Sequence, residues 1–426
     1  MERTNMPKTM MTLLFCFALC VAGCSSSDED AGGAVNKTPG ELILTRTQKQ
    51  MVDKCNQFAF NLLHEVDRQS EASYIISPMS VGYLLGMLYD GASSTTRSEI
   101  MDVLGFGNAT AEAVDSYFEN MLINAPVLDA EVDLSVANAL FLNNNYGITF
   151  TDKYVESIQQ HYLACVESLD FNDVDASVNH INGWCAEKTR NQIGEFLSKN
   201  QFNPNALNYL LNSVYFKADW TTRFEQSNTV SGQFVNEKGE AKTLPMMTKT
   251  DSVGYMSDDD VKAVSLPYGQ GSYRMVLLLP NGKSERTIES ILRVLKAERF
   301  AQVCNAMKQE RVDLQIPRFE TNSDINLTNI LQELGVKHAF GDGNFSNAVS
   351  ENDGKFCIGE IKQKAKIEVS ESGTKAAAIT GGWIYTDPDN SQQPTFTFHA
   401  TSPFVYVIYE QTSGAIFFMG VYSGEE

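Results

Sequence analysis

Residues 371–397 constrain the fold more than any other stretch. They begin Glu371-Ser372-Gly373-Thr374-Lys375-Ala376-Ala377-Ala378-Ile379-Thr380 and continue from Gly381 in Gly, Pro, Asp, Asn, Ser and Gln. Strand-like sequence stands on both sides, at 366–369 and at the apolar 404–409. Some two dozen residues without periodicity inside a domain read as one long loop. Loops beyond about 12 to 15 residues are usually functional or disordered. With period two, Thr374, Ala376, Ala378, Thr380, Gly382, Ile384 and Thr386 share one face, small and uncharged down to Ile384. Such a face fits the core side of a sheet. The plainer alternative is that Ala376-Ala377-Ala378 ends a helix or fills a linker.

The remainder predicts α+β architecture. Residues 47–66 carry Phe58, Leu62, Leu63 and Val66 on one helical stripe. Ser77-Pro78 opens a second helix, with a serine cap and a first-turn proline, running through Leu84, Leu85 and Leu88 to Gly91. Thr96-x-x-Glu99 reads as a capping box for a third. Val312-Asp313-Leu314-Gln315-Ile316 alternates as a strand up to Pro317, while 275–279 and 404–409 are apolar throughout, as in strands covered on both faces. Helices come early and strands late without βαβ alternation, which implies large, mainly antiparallel sheets. Residues 25–43, rich in Ser, Gly and acids, read as a tether, and 44–426 as one domain without internal repeats.

Charge and motifs remove several functions. The chain has 33 Lys and Arg against 53 Asp and Glu, a formal charge of −20, and no basic stripe for nucleic acid. His64, His161, His180, His338 and His399 are scattered, with no H-E-x-x-H spacing, G-x-S-x-G elbow or P-loop. Gly381-Gly382 lacks the flanks of a phosphate cradle. These features point to no catalytic residue, no metal, no cofactor and no enzymatic activity. Cys55, Cys165, Cys185, Cys304 and Cys357 are dispersed, without a C-x-x-C pair, and read as small core residues.

The first 23 residues read as a signal peptide: Arg3 and Lys8, then an apolar run over 10–22, shorter than the about 20 residues a spanning helix needs. The run ends Val21-Ala22-Gly23-Cys24, which resembles the lipobox of bacterial lipoproteins and makes Cys24 the expected lipid anchor. Ser25-Ser26-Ser27-Asp28-Glu29-Asp30 resembles the acidic tag that sends some lipoproteins to the outer face of the outer membrane; a plain solvated linker is the alternative. The expectation is an extracellular, surface-exposed outer-membrane lipoprotein that meets the membrane through its lipid alone.

Several segments, in order, resemble the serpin family from Thr47 to Tyr422. Gly373-Thr374-Lys375-Ala376-Ala377-Ala378 is similar to its hinge, and 212–220 to its strand ending in a tryptophan, Trp220. Ile76-Ser77-Pro78-Met79-Ser80 resembles the segment beneath its main sheet. Ala137-Asn138-Ala139-Leu140-Phe141, Ile181-Asn182-Gly183-Trp184, Leu266-Pro267-Tyr268 and Ser402-Pro403-Phe404 also match. The resemblance implies three β-sheets, about nine helices and an exposed reactive loop over about 371–397. It implies a monomeric suicide inhibitor of serine, and also cysteine, endopeptidases, whose cleaved loop inserts into the central sheet and traps the acyl-enzyme. The implied hinge is Gly373, Thr374, Ala376, Ala378 and Thr380. The implied latch of the sheet is Ser77, Ser80, Asn212, Trp220 and Gln363, where Gln363 replaces a common histidine and cannot titrate. Lys375 replaces an acidic residue, and Gly381-Gly382 costs about 0.5 to 1 kcal/mol per glycine in a strand. Counting fifteen residues from Gly373 reaches Asp387, before Pro388, which most serine proteases accept poorly. The cut is therefore expected among Tyr385, Thr386, Asp387 and Pro388, after Tyr385 or Thr386 by preference. No Lys or Arg follows Lys375, so the expected partners are chymotrypsin-like or elastase-like. From Thr374 to Asp387 an extended chain spans roughly 46 Å, long enough to carry a protease from pole to pole. The alternative within the family is a non-inhibitory binding module.

Overall fold

The computed structural model describes residues 39–70, 72–191, 193–281, 287–349, 356–374 and 394–425. The first helix, Arg46–Asp67, starts at a reciprocal cap between Thr45 and Gln48 and buries Phe58, Leu62, Leu63 and Val66. Ser77 caps the second, Pro78–Gly91, accepting from Ser80 N with Pro78 in the first turn. Every residue of that helix but Asp90 is buried, the pattern of a helix enclosed by the protein. The third helix, Ser94–Leu104, corrects the capping-box expectation. It begins two residues before Thr96, and both side chains serve tertiary partners. Thr96 Oγ1 accepts from Asn344 N at 2.9 Å, and Glu99 Oε2 from Lys337 N and His338 N, each at 2.8 Å.

The α+β class holds, with nine α-helices among the described residues. The six-stranded sheet runs, edge to edge, Phe319–Asn326, Glu360–Val369, Gly373–Thr374, Asn208–Asp219, Val132–Asn143 and Cys165–Leu169. Its strand Asn208–Asp219 feeds two cores. Leu210, Val214, Phe216 and Ala218 join the main one; Tyr209 and Leu211 join a second, with Val178, Ile181 and Trp184 of the helix Val174–Lys188. Burial on both faces explains why this strand shows no polar alternation. The larger sheet has nine strands and includes Tyr273–Pro280, Phe404–Glu410 and Lys308–Pro317, where the sequence placed strands. Three sheets were expected, and hydrogen bonding gives two ladders. The 17-residue strand Ala241–Ser257 explains the difference: it pairs with Val230–Val235, Val261–Tyr268 and Lys308–Pro317, joining two groups of strands in one ladder.

The packed chain begins earlier than the tether boundary at residue 43 implied. Leu42 is buried in the core, and a Cβ on Gly40 would lie 2.2 Å from the Leu128 carbonyl oxygen. Cys55 and Cys185 are buried, while Cys165, Cys304 and Cys357 are half-buried; all five are free thiols. Among the described residues no helix is long and apolar enough to cross a membrane, and no cluster has metal-binding form. The signal segment and Cys24 lie outside the described residues.

Candidate functional site

Glu360–Val369 and Asn208–Asp219 run parallel and pair directly at one end, from Glu360 opposite Tyr209 to Ala365 opposite Val214. Beyond that point they part. Gly373–Thr374 fills the opening as a two-residue strand antiparallel to both, Thr374 lying between Val369 and Ala218 and Gly373 opposite Asp219. A tight turn returns the chain, with Ser370 and Gly373 exchanging backbone bonds of 2.8 and 3.1 Å. Only glycine fits at 373: its φ is +147°, and a Cβ would sit 2.2 Å from the Ala218 carbonyl oxygen and 2.6 Å from Asp219 Cα.

The opening is sealed by side chains. Thr374 is 0% exposed, and its Oγ1 lies 2.7 Å from the Tyr268 hydroxyl. Burial pushes that phenol well above its ordinary pKa, so the contact joins two neutral hydroxyls. Tyr268 stacks on Trp220, with centroids 4.4 Å apart and 11° between planes. Trp220 donates from its indole to Ser370 O at 3.0 Å and from its backbone to Ser372 O at 2.7 Å. Glu371 anchors the turn, accepting from Thr229 Oγ1 at 2.6 Å and pairing with Arg318. Burial acts to raise its pKa, but the bonds from Arg318 and Thr229 outweigh it and hold the carboxylate below the usual range.

The closed end is fastened from beneath. Ser77 N donates to Gln363 Oε1 at 2.9 Å, and Gln363 Nε2 donates back to Ser77 O at 3.0 Å. Ser77 Oγ donates to Ser80 Oγ at 3.0 Å. Gln363 faces Asn212, whose Nδ2 donates to Asn138 Oδ1 at 2.9 Å while its own buried Oδ1 has no donor among the described residues. Gln363→Ala would strand the buried N–H of Ser77, whose C=O would keep only the helix bond from Val81 N at 3.1 Å, at about 2 kcal/mol. A lower urea midpoint is expected, and an unchanged midpoint would deny Gln363 its fastening role.

Of the residues assigned to the sheet latch, Ser77, Ser80, Asn212 and Gln363 stand together at the closed end. Trp220 does not, and its assignment there is corrected. It caps the open end beside the hinge, because strand Asn208–Asp219 runs the length of the sheet and separates Asn212 from it. Ala376, Ala378, Thr380, Tyr385, Thr386, Asp387 and Pro388 lie outside the described residues, so only Gly373 and Thr374 of the hinge are placed. Tyr268, Arg318, Thr229 and Asn138 carry no role in the sequence reading. Tyr268 and Asn138 stand in quoted segments, but only tertiary contact shows what each one touches.

Three comparisons bear on the chain. The family model described as Serpin (serine protease inhibitor) matches residues 53–424. Serpin B6 of Macaca fascicularis is 30% identical over 86% of this chain and 97% of its own length. An uncharacterized serpin-like protein of Thermococcus kodakarensis is 28% identical over 93% and 91%. Among solved structures, the thermophilic serpin tengpin in its native state matches with TM-score 0.79 at 23% identity, over 91% of this chain and 96% of its own. Thyroxine-binding globulin complexed with thyroxine matches at 0.78 and 24%, over 87% and 98%. Both likenesses speak for the fold. The expectation of no enzymatic activity is corrected in its ground: missing motifs decide nothing about activity, and the finding that bears on it is the match to a family described as serine protease inhibitors.

Proposed function

The chain belongs to the serpin family, and from that premise we propose that it is a suicide inhibitor of serine endopeptidases, and also of cysteine endopeptidases, tethered at a bacterial surface. The observation that carries the reading is the register of Gly373–Thr374 in the open end of the sheet. Continued along both neighbours, it sets Ala376 between Ile367 and Phe216, Ala378 between Ala365 and Val214, Thr380 between Gln363 and Asn212, and Gly382 between Ile361 and Leu210. The last three pairs are the residues that face each other directly in the closed end. An entering strand therefore parts each pair and keeps the register of both neighbours. It replaces a parallel pairing by two antiparallel ones, which are slightly more stable per residue. The inward partners Ile367, Phe216, Ala365, Val214, Ile361 and Leu210 all belong to the main core, and small hinge residues suit that space. Thr380 would bring a hydroxyl to the Asn212 Oδ1 that has no donor among the described residues.

The register also bounds the bait. Ile384 reaches Asn208, the first residue of its neighbour strand, so a protease acylated at Tyr385 or Thr386 arrives just past the end of the sheet. Loss of one oxyanion-hole donor slows acyl chemistry by roughly 10² to 10³, so a pulled and distorted protease stalls before deacylation. The test is incubation with chymotrypsin-like and elastase-like proteases, a denaturing gel, and mass spectrometry of the released peptide. A covalent complex with the cut between residues 383 and 390 is expected. Cleavage without any complex, by either class, favours the non-inhibitory binding module.

Tethering rests on the Val-Ala-Gly-Cys segment ending at Cys24. Cys24→Ala removes the only thiol positioned for acylation and should release soluble protein from cells. A variant that still sediments with membranes in high salt and mild base contradicts the anchor. The reading places the lipidated monomer on the outer membrane, guarding the cell against digestion by proteases from outside.

A further inference from the structure

The buried helix Pro78–Gly91 is fastened at its start, through Ser77, to Gln363 of the sheet. Its far end carries Asp90, the one residue of the helix that is not fully buried. The Asp90 carboxyl accepts from Ser157 Oγ at 2.6 Å and hydrogen-bonds the carboxyl of Asp115 on the helix Ala111–Asn124. Asp115 also accepts from the Tyr162 hydroxyl at 2.9 Å. Two carboxyl groups in hydrogen-bond contact require a proton between them. Asp90 lies in the last turn of its helix, where the dipole opposes negative charge, whereas Asp115 lies in the second turn of its own, clear of the helix's C-terminal end. The proton therefore rests on Asp90 and is donated to Asp115.

Both carboxyls border a cleft of about 560 Å³, through which protons reach the pair. Charged and titratable groups face it from each surrounding element. The helix Ser94–Leu104 brings Arg97, whose guanidinium lies 4.0 Å from the Tyr89 ring centroid. Ala111–Asn124 adds Glu112, Asp152–Tyr162 adds Lys153 and Tyr154, and Ser346 and Asn347 add only neutral groups; outside the lining, His161 of the same helix as Lys153 pairs with Glu119 at 2.8 Å. Burial first, and the Asp115 charge next, push the Asp90 carboxyl up to about 7, against opposing effects of Ser157 and His161.

We propose that Asp90 and Asp115 form a proton-dependent clasp between the buried helix Pro78–Gly91 and the helix Ala111–Asn124, closed while one proton is shared and opened when it leaves. An unfolded aspartate releases its proton near about 3.9. Between that pH and about 7 the folded Asp90–Asp115 pair holds one proton more than the same residues do in the unfolded chain. The clasp's contribution is therefore complete below the lower value, falls as pH rises by up to about tenfold in the unfolding constant per unit, and levels off above the upper one. Loss of the proton sets two carboxylates against each other and loosens the far end of the helix on which the sheet is fastened.

The test is urea denaturation of the full chain from about pH 5 to about pH 9, for wild type, Asp90→Asn, Asp115→Asn and His161→Gln, with difference infrared spectra of the carboxyl region. Asparagine at 90 keeps the hydrogen bonds without a titrating proton. Relative to wild type, Asp90→Asn should gain at least about tenfold in stability from the acid to the alkaline end, and Asp115→Asn should flatten the profile too. His161→Gln should keep the wild-type slope. Wild type near neutrality should show one protonated-carboxyl band that Asp90→Asn lacks. Parallel profiles for wild type and Asp90→Asn, or a slope removed by His161→Gln instead, overturn the clasp. If Asp90→Asn does not fold, the infrared titration of wild type against Asp115→Asn reads the same proton, and absence of the band overturns the proposal.

Discussion

Under the proposed inhibition, Thr374→Arg should turn trapping of the protease into simple cleavage of the loop. The side chain at 374 is 0% exposed, held between Ala218 and Val369, with its hydroxyl against Tyr268 beneath the Trp220 stack. A guanidinium there meets neutral groups, and an uncompensated buried charge costs several kcal/mol. An expelled hinge leaves the loop open to cleavage but adds that cost to the first step of insertion. At about 1.4 kcal/mol per tenfold, even 3 kcal/mol slows insertion by roughly 100-fold, and deacylation then finishes first. The denaturing gel should show less than about a tenth of the wild-type complex, with cleavage undiminished, while Thr374→Ser keeps the hydroxyl and the trap. Wild-type yields of complex from Thr374→Arg would sink the insertion mechanism.

The parts of the fold legible in the sequence are those set by local chemistry. Ser77-Pro78 announces a helix start because the cap and the proline act within one turn, and 312–316 announces a strand because only one face is buried. Where side chains serve distant partners, local reading fails. Thr96 and Glu99 have capping-box spacing, yet Asn344, Lys337 and His338 claim them across the fold. The same limit divides the site. Gly373 and Thr374 are legible as the start of a small-residue face, and Ser77, Ser80, Asn212 and Gln363 through resemblance. Trp220 reads with them in the sequence because proximity in a motif does not say which end of a 12-residue strand carries a residue. Arg318 and Thr229 gave no signal, because their importance comes from Glu371, which is nearly buried and reached from two other elements.

Cleavage of the loop should stabilise the protein, the reverse of what nicking does to an ordinary loop. In the intact chain the sheet is closed over Glu360–Ala365 by six parallel pairs, and beyond them Gly373–Thr374 stands between the two strands among the described residues. On the proposed mechanism, cleavage frees the hinge to continue the register of Gly373–Thr374 between the two strands. The strand from Thr374 to Ile384 can then pair on both sides and cover the inward face of the core. On that mechanism the intact form is held by a barrier rather than by its free energy. A gain of about 5 kcal/mol or more, at roughly 2 °C per kcal/mol for a domain of this size, raises the melting temperature by at least about 10 °C. Calorimetry before and after limited proteolysis between Gly381 and Gln393 measures this directly. A transition at least about 10 °C higher in the cleaved protein is the predicted result, and a transition that stays in place or falls would contradict insertion of the loop into the sheet.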